Sequence, residues 1–295
     1  MIEELKTFIA VVDKKSFTKA ANFINISQPS VSSHISILEK YFNTRLIERS
    51  NKQRNILITQ TGKILYKRAK QMIGFLDETK DELSNYHNSM TGTLKLGSSM
   101  TIGEFLLPSV LGDFIKEFPK VKLEVTIENT KHIYEKFINY DIDIALIEGT
   151  VPVHNYIHKN FYKDTMVIVA PMPFSNNKNM NLRDYLSRQT WIHREEGSGT
   201  GENLNIFLNN EGIYPKNFIV LGSNYAIKES VKNNLGITFI SSLVVNDAVK
   251  NKEVEIISTK TNYNRYFSYL VHEKSMSRLA SVFIEKLQLY SNMDV

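Results

Sequence analysis

Apolar residues along the first 42 positions recur at three- and four-residue spacing and fall into three short groups, each the inner face of a helix. Leu5, Phe8, Ile9 and Val12 form the first. Phe17, Ala20, Ala21 and Ile24 point inward from a second helix capped by Ser16. Val31, Ile35, Leu38 and Phe42 do so from a third, capped by Ser27 and carrying Pro29 in its first turn, where a missing N–H costs nothing. The period then changes to two: Arg45-Leu46-Ile47-Glu48-Arg49 and Ile56-Leu57-Ile58 read as short strands joined by the polar turn Ser50 to Asn55. From Thr59 to about Tyr86 one long helix is predicted, about 40 Å in length. Leu65, Ala69, Met72, Leu76, Thr79, Leu83 and Tyr86 draw a heptad seam along it, which either packs on its own domain, the usual fate of an apolar stripe, or, as the polar residues on its other faces favour, pairs with a second copy of itself.

Beyond the break at Asn88 to Gly92, strands and helices alternate. Strands are predicted at 93–98, 122–127 and 142–147, with helices at 101–118, interrupted early by Pro108, and at 131–140. A second series has strands near 166–170, 191–194, 218–222 and 237–240 and helices near 182–187, 201–210 and 225–233; a strand at 266–272 returns to the first series, and a helix at 276–290 ends the chain. This alternation predicts parallel sheets. The organisation read from it is a winged helix-turn-helix over 1–58, a linker helix over 59–91, and a two-lobed α/β domain over 92–295. Lobe one takes 92–161 and 266–295, lobe two takes 162–265, and the pair resembles a periplasmic binding protein.

Charge sharpens the division. The whole chain carries a formal +5, and residues 1–91 hold 14 Lys and Arg against 9 Asp and Glu, leaving the remainder balanced. Residues 1–70 alone hold 13 basic and 5 acidic side chains. A basic head on a neutral body is the footprint of a protein that binds a polyanion with one domain. The start lacks the basic and apolar segments of a secretory signal, and the chain has no cysteine; both features point to the cytoplasm, to a protein without membrane attachment, and to a reducing compartment.

Two short helices joined at Asn25-Ile26 make a helix-turn-helix, whose second helix enters the major groove of double-stranded DNA. The residues that reach base edges or flanking phosphates from that pair are Thr18, Ser27, Gln28, Ser30, Ser32, Ser33 and His34. Gln28 leads for base reading, because its amide pairs bidentately with adenine. A polar helix face by itself is only a solvated surface; the neighbouring hairpin, with Arg45, Arg49, Lys52 and Arg54 projecting toward phosphates or a minor groove, makes it an interface.

These segments, Phe8-Ile9-Ala10-Val11-Val12, Ser16-Phe17-Thr18-Lys19-Ala20-Ala21, Ser27-Gln28-Pro29-Ser30-Val31-Ser32, Leu38-Glu39 and Thr59-Gln60-Thr61-Gly62, resemble the LysR-type transcriptional regulators. The resemblance implies a homodimer assembling into a homotetramer, binding to an imperfect inverted repeat at promoters, and RNA polymerase as a further partner. Ser33 and Ser36 stand where the family commonly has basic residues, which shifts DNA contact toward Gln28, Ser30, His34 and the wing.

In a two-lobed α/β body, ligands lie at strand C-terminal ends and helix N-termini. Ser98, Ser99 and Thr101 end one strand and open a helix; Arg194, Ser198, Gly199 and Thr200 do the same in a Gly-rich segment; Asn224 precedes a third helix. Each alone reads as a helix cap, and three converging on one cleft read as an effector site for an anion. Thr101-Ile102-Gly103-Glu104-Phe105-Leu106-Leu107-Pro108, together with the 194–200 segment, resembles the family branch that regulates sulfur assimilation and carbon fixation, implying a sulfur oxyanion or carboxylate effector and no cofactor. The Gly-rich segment lacks the Lys-Ser/Thr of a P-loop and the full dinucleotide fingerprint. The competing readings are an enzyme, for which His154 and His158 flank an extended stretch unsuited to a shared metal, and a solute-binding protein, which would not need the basic head.

Overall fold

The computed structural model describes residues 1–49, 56–84, 90–152, 156–173, 181–259, 261–273 and 276–290, and the chain divides into two units, Met1–Asn88 and Ser89–Val295. The first holds α1 (Ile2–Lys14), α2 (Phe17–Phe23), α3 (Gln28–Tyr41), the antiparallel pair β1 (Ile47–Arg49) and β2 (Ile56–Ile58), and α4 (Gln60–Ser84). Ser16 and Ser27 cap as predicted, their hydroxyls accepting the N–H groups of Lys19 at 3.3 Å and Ser30 at 3.2 Å. Phe8, Val11, Ala20, Val31, Ile35, Leu38 and Leu46 share one core. Phe42, predicted to join it, is exposed. It is the C-cap of α3, and the chain turns immediately afterwards through Asn43, at φ 48°, so Leu46 and Ile47 fill the space beneath the helix instead.

The wing is fastened from both sides. Glu39 of α3 accepts the Leu46 and Ile47 N–H groups at 2.8 and 3.3 Å. Thr59 donates its hydroxyl to the Arg45 carbonyl at 2.8 Å and accepts the Gly62 N–H at 2.9 Å. The start of α4 therefore runs so close to the wing that a Cβ on Gly62 would lie 2.2 Å from the Leu46 carbonyl oxygen. The heptad seam of α4 is split. Leu65 and Ala69 are buried in the head's own core, whereas Met72, Leu76 and Leu83 are exposed; Tyr86 lies outside the described residues. The first turns of the helix find their partner in α1, and only the later turns offer an open apolar stripe.

The second unit runs β3 (Gly92–Ser99), a π-helical turn (Ile102–Leu106), α5 (Leu107–Glu117), β4 (Val121–Glu128), α6 (Thr130–Ile138), β5 (Ile144–Glu148), β6 (Ile157–Pro171), α7 (Leu182–Arg188), β7 (Thr190–Arg194), α8 (Gly199–Glu211), β8 (Asn217–Leu221), α9 (Asn224–Lys232), β9 (Thr238–Ser241), α10 (Ser242–Lys250), β10 (Val254–Ile257), β11 (Tyr263–Val271) and α11 (Arg278–Leu289). In lobe one, β3 lies parallel to β4 and β5, and β5 pairs antiparallel with β11. In lobe two, β7 and β8 are parallel, and β6 pairs antiparallel with β9 and β10. The chain crosses between the lobes along β6 and β11, which pair antiparallel along 157–166 and 263–271.

Four elements depart from the sequence reading. β6 has 15 residues, far beyond the apolar run at 166–170, because its first half is polar on one face and is a strand only through pairing with β11. The short α10 and β10 carry too few turns or pleats to show a period on their own. The helix from 101 begins as a π turn in which the Leu107 N–H reaches the Ile102 carbonyl, five residues back, just ahead of Pro108. Among the described residues no helix is long and apolar enough to cross a membrane.

Gly62→Ala is expected to destabilise the head by about 1–3 kcal/mol through overpacking against backbone. Gly74→Ala, at a mid-helix position with nothing within 4 Å, is expected to stabilise it by about 0.5–1 kcal/mol. Urea unfolding of the two variants beside the parent measures both signs.

Candidate functional site

The outer face of the head presents Gln28, Ser33 and Thr18 to solvent. The Gln28 Nε2 donates to Ser32 Oγ at 3.0 Å, and the Ser27 and Ser30 hydroxyls are 2.8 Å apart, so the start of α3 is a chain of hydroxyl and amide groups available to DNA. His34 behaves differently. It is half-buried, with Nδ1 2.8 Å from the Thr7 hydroxyl of α1. The same hydroxyl lies 2.7 Å from the Glu3 carbonyl, and the His34–Thr7 contact braces α3 against α1. The Arg45 side chain is 84% exposed beside Glu39. The Arg49 side chain, Lys52 and Arg54 lie outside the described residues.

In the second unit, strand ends and helix starts from both lobes meet as the chain order requires. Ser98, Ser99, Thr101, Arg194, Ser198, Thr200 and Asn224 are all buried. Four of them form one continuous network: Arg194 Nη1 donates to Asn224 Oδ1 at 3.1 Å, Asn224 Nδ2 donates to Thr101 Oγ1 at 3.1 Å, and Arg265 donates to Thr101 Oγ1 at 3.3 Å and to Thr200 Oγ1 at 3.1 Å. Ser99 Oγ is buried and, among the described residues, has no hydrogen-bond partner. Ser98 donates to the Ser99 carbonyl at 3.1 Å.

At the centre stand groups the sequence reading did not single out. Arg265 pairs with Glu148 at 2.5 Å and with Asp164 at 2.7 Å, all three buried. Glu148 also accepts the Thr101 N–H and the Thr200 hydroxyl, each at 3.3 Å. A carboxylate of the protein itself thus accepts the N–H at the helix start of Thr101. Asp164 accepts the Ser241 hydroxyl at 2.6 Å. Arg194 is likewise committed, bidentate to Glu195 at 2.8 Å. Burial pushes the Glu195 carboxyl up, but its bonds from Arg194 outweigh this and hold it below the usual carboxylate range. Burial raises Glu104, and Glu148 adds to the rise against the opposing pull of Arg194. Glu148 had a readable signal, a carboxylate closing the apolar strand Ile144–Ile147. Asp164 and Arg265 lie inside strands and had none.

A cavity of about 610 Å³ meets this network at Arg194 and Glu195 and is walled by Lys131 and Tyr134 of α6, Thr150 to Pro152, and Ser198, Gly199, Gly201 and Glu202 around the start of α8. Its sides are tied together: the Lys131 N–H donates to the Gly197 carbonyl at 3.0 Å, Asn129 donates to Glu195 at 3.2 Å, and Thr150 donates its hydroxyl to Glu202 at 2.6 Å. Gly199 is required by contact alone, since a Cβ there would lie 2.2 Å from the Glu148 carbonyl oxygen.

A helix-turn-helix head with a wing on one unit, and a two-lobed α/β body enclosing a polar cleft on the other, define a ligand-responsive DNA-binding regulator rather than an enzyme. Residues 2–63 match the bacterial regulatory helix-turn-helix protein, lysR family, and residues 87–290 match the LysR substrate binding domain. The chain belongs to the LysR family of transcription regulators. It is 39% identical over 291 residues to the HTH-type transcriptional regulator CysL of Bacillus subtilis (strain 168), covering 98% of this chain and 96% of that protein. It is 30% identical to a probable RuBisCO transcriptional regulator of Cyanidium caldarium, covering 90% and 89%. Among solved structures, ArgP of Mycobacterium tuberculosis aligns with a TM-score of 0.78 at 14% identity over 98% of this chain and 96% of that one.

Arg265→Met strands two buried carboxylates and is expected to cost about 3–5 kcal/mol at neutral pH. Glu148→Gln keeps acceptors for Thr101 and Thr200 and is expected to cost less. Chemical denaturation compares them; equal losses would show that the charge of Glu148 contributes nothing separable.

Proposed function

We propose that this regulator is a cytoplasmic homotetramer that grips a promoter inverted repeat through α3 and the wing and is controlled by a small metabolite bearing a carboxylate or sulfur oxyanion, in sulfur or central metabolism. The observation that carries the effector half is the convergence of Thr101, Arg194, Thr200 and Asn224, from three separate strand-to-helix junctions, on one buried network that shares Arg194 with a 610 Å³ cavity. Supporting the DNA half are the exposed Gln28 and Ser33 on α3 and the extended Arg45. The open stripe of Met72, Leu76 and Leu83 on α4 supports pairing of two heads, which presents two recognition helices to two half-sites. Effector binding shifts how the lobes close, and the assembly passes this to DNA bend and to RNA polymerase.

Thermal-shift titration of the full chain with sulfate, sulfite, thiosulfate, O-acetylserine and small carboxylates is expected to raise Tm for the effector class, and Thr101→Ala is expected to abolish the rise. A rise untouched by Thr101→Ala places the ligand elsewhere and sinks the cleft assignment.

On DNA, Arg45→Glu is expected to weaken binding to every sequence alike, through lost phosphate attraction. Gln28→Ala is expected to relax discrimination at one base pair by about 1–3 kcal/mol. Gel retardation on operator and scrambled duplexes separates the two effects; parallel losses in both variants would contradict this division of roles.

A further inference from the structure

Resting on the reading of the cleft as the effector site, we infer that its ligand is a zwitterion, an α-amino acid or close derivative, with its carboxylate on the start of α8 and its ammonium against Glu202.

Most of the donors at the three strand-to-helix junctions are already engaged, the Ser99 hydroxyl being the buried exception among the described residues, and Lys131 and His193 are the further donor-bearing side chains that line the cavity. Glu148 holds the Thr101 N–H, Glu195 and Asn224 hold Arg194, Glu148 and Asp164 hold Arg265, and Ser223 caps α9 by accepting the Ala226 N–H. The start of α8 is different. Ser198 is its N-cap, 4% exposed, yet its hydroxyl makes no capping bond and lines the cavity. A hydroxyl that makes no capping bond, on a buried residue beside the first N–H groups of a 13-residue helix, suits one carboxylate.

One turn along the same helix, Glu202 lines the same cavity. Its carboxylate is half-buried and accepts the Thr150 N–H at 3.3 Å and the Thr150 hydroxyl at 2.6 Å. Both donors are neutral, so among the described residues its charge has no cation. Glu135 and Glu196 also border the cavity, against the single ammonium of Lys131, while Arg194 and Glu195 cancel each other. A sulfate or dicarboxylate entering here meets an excess of like charge; a ligand carrying an ammonium beside its carboxylate relieves it. Tyr134, Val151 and Pro152 leave an apolar wall for the rest of the ligand.

Calorimetric and thermal-shift titration of the full chain with matched pairs that exchange ammonium for hydroxyl, L-serine with D-glycerate and L-aspartate with L-malate, tests this without any variant. The amino acid of a pair is expected to bind at least about tenfold tighter, as a charge-assisted contact implies. Glu202→Gln, which keeps an acceptor for Thr150, is expected to bring the ratio near one, while Ser198→Ala weakens both members of a pair alike. Hydroxy acids or sulfate binding as tightly as amino acids, with sensitivity to Thr101→Ala, would overturn the zwitterion and leave the cleft standing. A ratio unmoved by Glu202→Gln also overturns it. No response to any of these ligands, in parent or variants, would remove both.

Discussion

Arg265 and the two carboxylates it serves are the interaction on which the effector unit depends. Taking three ions out of water costs several kcal/mol for each, and the arrangement persists only because every one is bonded more than once. Asp164 and Arg265 face each other directly in the β6–β11 register, so the two strands along which the chain crosses between lobes bring acid and base together by pairing alone. From there the guanidinium reaches Glu148 at the end of β5, Thr101 at the start of the π turn and Thr200 at the start of α8. Lobe one, lobe two and the crossover are thereby held by one side chain. Any change in the way the lobes meet must lengthen or exchange some of these bonds.

The head solves a different problem, keeping a recognition helix rigid with a small core. Ser27 fixes where α3 begins, His34 fastens its middle to Thr7 of α1, and Glu39 fastens its end to the first wing strand. Gly62 then lets α4 lie on the wing backbone. Four polar or steric contacts, each from a different turn of the chain, supplement the apolar packing of Phe8, Leu38 and their neighbours. The same α4 that completes this core continues beyond it with an uncovered apolar stripe, so its two halves have separate physical tasks.

Helix faces in the head, the caps at Ser16 and Ser27, the β/α alternation of the body and the junctions at Thr101, Arg194 and Asn224 were legible because each depends on residues within a few positions of one another. Periodicity and capping are local properties, and the family pattern in the head is carried by contiguous segments. How the seam of α4 divides was not legible, because a heptad says which face is apolar and nothing about what covers it. β6 was read too short because half of it is a strand only by virtue of its neighbour.

By itself, then, the sequence determined a basic winged head, a two-lobed α/β body, and the strand ends from which a polar site is built. The tertiary structure alone decided who occupies that site. Arg265 lies 117 positions from Glu148 and 101 from Asp164, and no local pattern marks their meeting. Charge pairing in a buried space acts through distance in three dimensions, so the meeting of these ions beside Thr101 and Thr200 is a property of the fold and of no local segment.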